Sequence, residues 1–103
     1  MEMINTKLEN NIIKLFRQNN VIFAAIFGSR AKGTATPNSD YDFLIEFAPT
    51  FQIPLSRYLP FKSNLEKVVN NNIDIVTTRG LGQKQFKREV LKTMKVIYDE
   101  RKR

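Results

Sequence analysis

The chain has 103 residues, 42% hydrophobic and 26% charged, which fits one folded domain with a modest core and excludes a disordered chain. Seventeen Lys and Arg stand against ten Asp and Glu, a formal charge of +7, so the field of the molecule favours polyanions (RNA, DNA, nucleoside triphosphates) or acidic protein faces. There is no Cys and no His, which removes disulfides, thiolate nucleophiles, His-based triads and the commonest zinc ligands, and leaves carboxylates, hydroxyls, Lys, Arg, Tyr or a bound metal to carry any catalysis.

The first sixteen residues carry Glu2, Lys7 and Glu9 and have no apolar stretch of signal-peptide length. Ile4, Leu8, Ile12, Leu15 and Phe16 recur at helical spacing and predict an amphipathic helix over about 3–18, ended by Gln18-Asn19-Asn20. Val21 to Phe27 is the longest apolar run, too short to cross a bilayer; being apolar on both faces, it reads as a central strand. A cytoplasmic chain without a membrane segment is the expectation. Gly28 stops that strand, residues 29–33 form a short helical turn, and Thr34 to Ser39 form a loop. A second strand is predicted over about 40–47, and Pro49 and Pro54 bracket the loop after it.

Leu55, Tyr58, Leu59, Leu65, Val68 and Val69 predict helix over about 55–70, with Pro60 dividing the segment and starting its longer part. Asn70 to Asn72 turn the chain into a third strand over 73–78. Gly80 and Gly82 read as turn residues, Phe86, Val90 and Met94 mark a last helix over about 83–93, and Lys95 to Asp99 form a short final strand before a solvated basic tail. The expected fold class is α/β (α+β): one domain over 1–103, built as a small mixed β-sheet with helices packed mainly on one face.

Chemistry concentrates between Gly28 and Asp42. Side chains alternate along a strand, so Asp40 and Asp42 face one way while Tyr41, Phe43, Ile45 and Phe47 form an apolar face. Two like charges on one face repel, and a hard divalent cation such as Mg²⁺ would relieve them while leaving positions open for phosphate. Gly28 has no Cβ, so its backbone can approach a phosphate; Ser29 adds a hydroxyl and an amide, and Arg30 and Lys32 add positive charge. Asp74 lies between two isoleucines in the third strand, where an unpaired acid is costly. Paired beside the second strand, it would join Asp40 and Asp42, hold one metal and help deprotonate an attacking hydroxyl.

Gly28-Ser29, ten residues, then Asp40-x-Asp42, with a later strand aspartate in IDIVT, resembles the minimal nucleotidyltransferases (MNT) of the DNA polymerase β superfamily over nearly the whole chain. The resemblance implies a nucleotidyltransferase fold, two Mg²⁺ ions held by Asp40 and Asp42 with Asp74 as third acid, and ATP as substrate. It implies the β- and γ-phosphates on Gly28 and Ser29, with Arg30 and Lys32 as further nucleotide-binding residues. It further implies the antitoxin of a HEPN/MNT pair, which moves AMP from ATP to a tyrosine of the HEPN ribonuclease toxin within a hetero-oligomer. No acceptor-binding segment is visible, so the acceptor is expected in trans. Two alternatives stand beside it: a nucleotidyltransferase acting on an RNA 3′ end, with RNA contact through the basic surface, or on a small molecule; and a non-catalytic antitoxin that acts by binding alone. Lys84, Lys87, Arg88 and Lys92 of the last helix form either a solvated face or a contact surface.

Overall fold

The computed structural model describes residues 6–48, 53–82, 85 and 87–101. Helix α1 (Thr6–Gln18) leads into strand β1 (Val21–Phe27) and the one-turn helix α2 (Ser29–Lys32). Strand β2 (Tyr41–Phe47), helix α3 (Leu55–Val69) and strand β3 (Ile73–Thr77) follow. The chain ends in the one-turn helix α4 (Thr78–Leu81), helix α5 (Lys87–Thr93) and strand β4 (Lys95–Asp99). The four strands form one mixed sheet in the order β3-β2-β1-β4, with β2 and β3 parallel and β1 antiparallel to β2 and β4. The uniformly apolar β1 is an inner strand, as its sequence predicts.

The two long helices share one face of the sheet. From α1, Ile12, Leu15 and Phe16 meet Phe61, Leu65 and Val69 of α3 over Ala24, Ile26, Tyr41, Phe43 and Ile45. Phe16 sits at the centre of this layer: its ring lies 6.3 Å from Phe43, edge-on, 6.3 Å from Phe61 and 5.9 Å from Tyr98. Edge-to-face and tilted rings at these separations add to the apolar burial. The opposite face has a thinner cover, in which Leu81 of α4 and Val90 of α5 close over Phe23, Ala25, Phe27 and Leu44.

Five details differ from the sequence expectation, the first being that Gln85 lies in a turn and the last helix begins at Lys87, later than the expected 83. Pro60 does not divide α3; one continuous helix runs through it. Pro60 lacks an amide N–H and so removes one helical hydrogen bond, while the buried stripe Phe61, Leu65 and Val69, spaced four apart, holds the helix beyond it to the sheet. Strand β2 begins at Tyr41, so Asp40 lies just ahead of the ladder. Strand β3 stops at Thr77, whose Oγ1 accepts the Gly80 amide at 3.0 Å and caps α4, drawing Thr78 and Gly80 into helix instead of strand and turn. The tail begins anchored: Arg101 pairs with Asp99 at 3.1 Å and Glu46 at 3.7 Å, and its guanidinium lies 3.9 Å over the Phe23 ring. The calls on residues 3–5, Pro49, Lys84, Phe86 and residues 102–103 fall outside the described residues.

Candidate active site

The site is made where β1 ends and β2 and β3 begin. In the antiparallel β1–β2 ladder Phe27 pairs with Asp42, which brings Gly28 against the Asp42 carboxylate. Gly28 has φ +75°, in the region that side chains with a Cβ avoid, and a Cβ there would overlap Asp42 Oδ2. The glycine is required twice over, by its backbone angle and by what stands behind it. Its carbonyl then accepts the amides of Ala31 and Lys32, both at 3.1 Å, which winds α2, and Gly33 (φ +78°) ends that turn in the left-handed region. Ser29 opens α2 and is half-buried. The first amides of such a turn have no partner inside it.

The parallel β2–β3 ladder pairs Asp42 directly with Asp74. Partners in neighbouring strands lie about 4.8 Å apart and point to the same face. Asp74 is exposed and Asp42 half-buried, both on the thinly covered face. Burial pushes the Asp42 carboxyl above its ordinary value, and the charges of Asp74 and Asp40 push it the same way. The charges of Asp40 and Asp74 thus both bear on Asp42 at one end of the sheet. Asp74 also raises the Tyr58 hydroxyl, after burial, which is the larger cause.

Among the described residues no three acids close into a ready-made metal cage. That suits Mg²⁺, which takes one or two carboxylates and completes its shell with water and substrate phosphate. The donor set is oxygen only, and the repulsion at Asp42 is of the kind a cation relieves. Asp42 with Asp40 or Asp74 could hold such an ion.

The two basic residues of the turn have partners of their own. Lys32 is exposed, with Nζ 3.8 Å from Glu89 of α5. Arg30 is half-buried and turned toward the loop before β2. Its Nη2 donates to the Ser39 carbonyl at 2.8 Å and approaches that of Pro37 at 3.4 Å, and its guanidinium lies 4.2 Å over the Tyr41 ring. Tyr41 packs with the α1–α3 layer, on the other face of β2 from Asp42. Sequence reasoning also passed over Asn71, which donates to the Pro37 carbonyl at 3.0 Å, and Glu89. Neither carries a local signal, since both contacts join segments far apart in the chain.

The family profile described as polymerase beta, nucleotidyltransferase matches residues 10–103. The chain belongs to this nucleotidyltransferase family. A curated protein of Methanocaldococcus jannaschii, MJ1379, provisionally described as a protein adenylyltransferase, is 32% identical over 66 residues; the match covers 64% of this chain and 66% of that protein. A solved structure described as a minimal nucleotidyltransferase superimposes with TM-score 0.71 at 26% identity, covering 91% of this chain and 94% of the other. A chain from a mutant of the toxin–antitoxin complex containing MntA superimposes with TM-score 0.66 at 26% identity, covering 93% of this chain and 73% of that one. This nucleotidyltransferase is thus of the minimal type, and the fold expected from its Gly-Ser and Asp-x-Asp motifs is the fold it has. Among its described residues no helix is long and apolar enough to cross a membrane.

Proposed function

We propose that this nucleotidyltransferase is the antitoxin of a HEPN/MNT pair, a cytoplasmic, Mg²⁺-dependent enzyme that transfers AMP from ATP to a tyrosine hydroxyl of its HEPN ribonuclease partner. One observation carries the reading: Gly28 backs directly onto the Asp42 carboxylate, which is itself paired with Asp74, so a phosphate-binding turn and a set of acids share one spot. The activity described for the Methanocaldococcus relative and the toxin–antitoxin setting of a structural neighbour point the same way.

In this reading the backbone of Gly28 and the hydroxyl and amide of Ser29 hold the β- and γ-phosphates, and Lys32 exchanges Glu89 for a phosphate oxygen. Asp40 and Asp42 would hold Mg²⁺, which when bound would neutralise phosphate charge and favour departure of diphosphate. Asp74, exposed beside the half-buried Asp42, accepts the proton of the acceptor hydroxyl. The acceptor oxygen forms a bond to the α-phosphorus, the bond from that phosphorus to the bridging oxygen breaks, and diphosphate leaves with the electron pair.

The test is intact mass of a HEPN protein, sought in the reading frames adjacent to the gene of this chain, after incubation with the chain, ATP and Mg²⁺, next to an Asp42→Asn control. Gain of whole AMP units, lost in the control, is the expected result. A stable complex with protection of the ribonuclease but no gain in mass would mean an antitoxin acting by binding alone. Labelling of RNA instead, with affinity that falls steeply with salt, would make a nucleic-acid 3′ end the acceptor.

A further inference from the structure

The site has three arms: the Gly28-Ser29 turn, the Asp40–Asp42 strand entry and Asp74. The loop Thr34 to Ser39 runs between the first two, and its backbone is where they are tied together. Arg30, next to Ser29, reaches the carbonyls of Pro37 and Ser39 and lies over the ring of Tyr41, the residue between the two acids. Tyr41 in turn stacks on Phe43 of the core, with ring centroids 6.1 Å apart and planes 14° from parallel. From the third arm, Asn71 donates to the same Pro37 carbonyl, and the Asn72 carbonyl accepts the Tyr41 amide at 3.0 Å. The Arg30 Nε is buried with no hydrogen-bond partner among the described residues, so the guanidinium keeps this position at the expense of one donor.

We propose that Arg30 is a positioning residue: its guanidinium, bracketed by the Pro37 and Ser39 carbonyls and the Tyr41 ring, fixes the Asp40–Asp42 strand entry relative to the phosphate-binding turn. The inference rests on the metal-and-nucleotide reading of the site, and it takes Arg30 out of the set of groups that touch phosphate. A planar group with fixed donor directions is needed for this, and a lysine ammonium cannot both stack and reach two carbonyls in the same way. Removing the clamp loosens the metal-holding acids first, because they sit at the end of the loop it holds. The nucleotide's own contacts on Gly28 and Ser29 remain.

The experiment titrates Mn²⁺ into the whole chain in the presence of a non-hydrolysable ATP analogue by calorimetry, and titrates the analogue at saturating Mn²⁺, for wild type, Arg30→Lys and Arg30→Gln. Thermal unfolding of each variant is followed alongside. Both substitutions are expected to raise the half-saturating Mn²⁺ concentration by about tenfold and to change analogue affinity at saturating Mn²⁺ by less than about threefold. Tyr41→Leu should reproduce the Mn²⁺ effect, and adding it to Arg30→Lys should cost little more, because both break one contact. Asn71→Ala, a surface change, should show the same signature more weakly and serves if a variant at 30 or 41 does not fold.

Wild-type Mn²⁺ affinity retained in Arg30→Lys, with analogue affinity lost in Arg30→Gln, would make Arg30 a phosphate-binding charge and overturn the proposal. A lower unfolding midpoint with unchanged Mn²⁺ dependence would leave Arg30 purely structural and overturn it too. Wild type that binds neither Mn²⁺ nor the analogue would instead overturn the reading of the site itself.

Discussion

The two faces of the sheet are built on different terms. The α1–α3 face is a thick aromatic layer in which Phe16, Phe43 and Phe61 are essentially without solvent exposure. The opposite face is covered by one-turn α4 and seven-residue α5, and at the end they leave open it presents Asp42 and Asp74 side by side. The first face supplies stability and the second accommodates repulsion. Strand β2 joins them: Tyr41, Phe43 and Ile45 anchor it below while Asp42 points above. An acid pair that opposes folding is affordable because the same strand is held so firmly from the other side.

The comparison breaks most visibly at Phe16. Phe16→Ala should cost about 3–5 kcal/mol, a large share of the stability of a domain this size, whereas Leu81→Ala on the thin face should cost about 2–3 kcal/mol. Denaturant unfolding of the two variants would measure the gap; equal losses would mean that α4 closes a core as important as that of α1.

Gly28→Ala comes next, and tests the site rather than the core. The left-handed backbone should cost about 1–2 kcal/mol, and the added methyl must displace the Asp42 carboxylate. The expected outcome is a folded chain with a lower unfolding midpoint and no detectable nucleotidyl transfer, read by thermal unfolding and by the intact-mass assay.

The smallest effect has the opposite sign. The native chain holds the Asp42 proton longer than the unfolded chain does, because burial, Asp74 and Asp40 all raise its carboxyl. At a pH below the ordinary carboxylate range both states are protonated and the group contributes nothing. As pH rises through that range the unfolded chain ionises first, and the native state loses stability until pH passes the raised value. Asp42→Asn should therefore stabilise the metal-free protein at neutral pH, by roughly 0.5 kcal/mol or less given how much solvent reaches the carboxyl, and make no difference at strongly acid pH. Thermal midpoints at the two pH values, without divalent metal, check this. A variant that loses transfer while gaining stability would show that the acids are there for function.

Much of this was legible in the residues. Uniform apolarity placed β1 inside the sheet, and period-two alternation separated Asp42 from Tyr41, Phe43 and Ile45. The lone acid in IDIVT raised the question that the β2–β3 register answers. What could not be read was decided by contacts distant in sequence. Pro60 reads as a break because the local rule is strong, and only the packing of Phe61, Leu65 and Val69 on the sheet overrides it. The contact of Arg30 with the Tyr41 ring and its bond to Ser39 belong to a loop whose path no local pattern specifies. The Lys32–Glu89 pair likewise joins elements more than fifty residues apart.

The pairing of Asp42 with Asp74 also bears on how the sheet finds its alignment. Strand β3 lies at the sheet edge, where a parallel partner could slide. A shift of a single residue would exchange its two sets of side chains, turning Asp74 under α3 beside Leu65 and Val69 and bringing Ile73 or Ile75 out to the open face. A carboxylate forced among those side chains is a heavy penalty. Asp74 thus also acts as a proofreader of assembly, favouring the alignment that sets it beside Asp42.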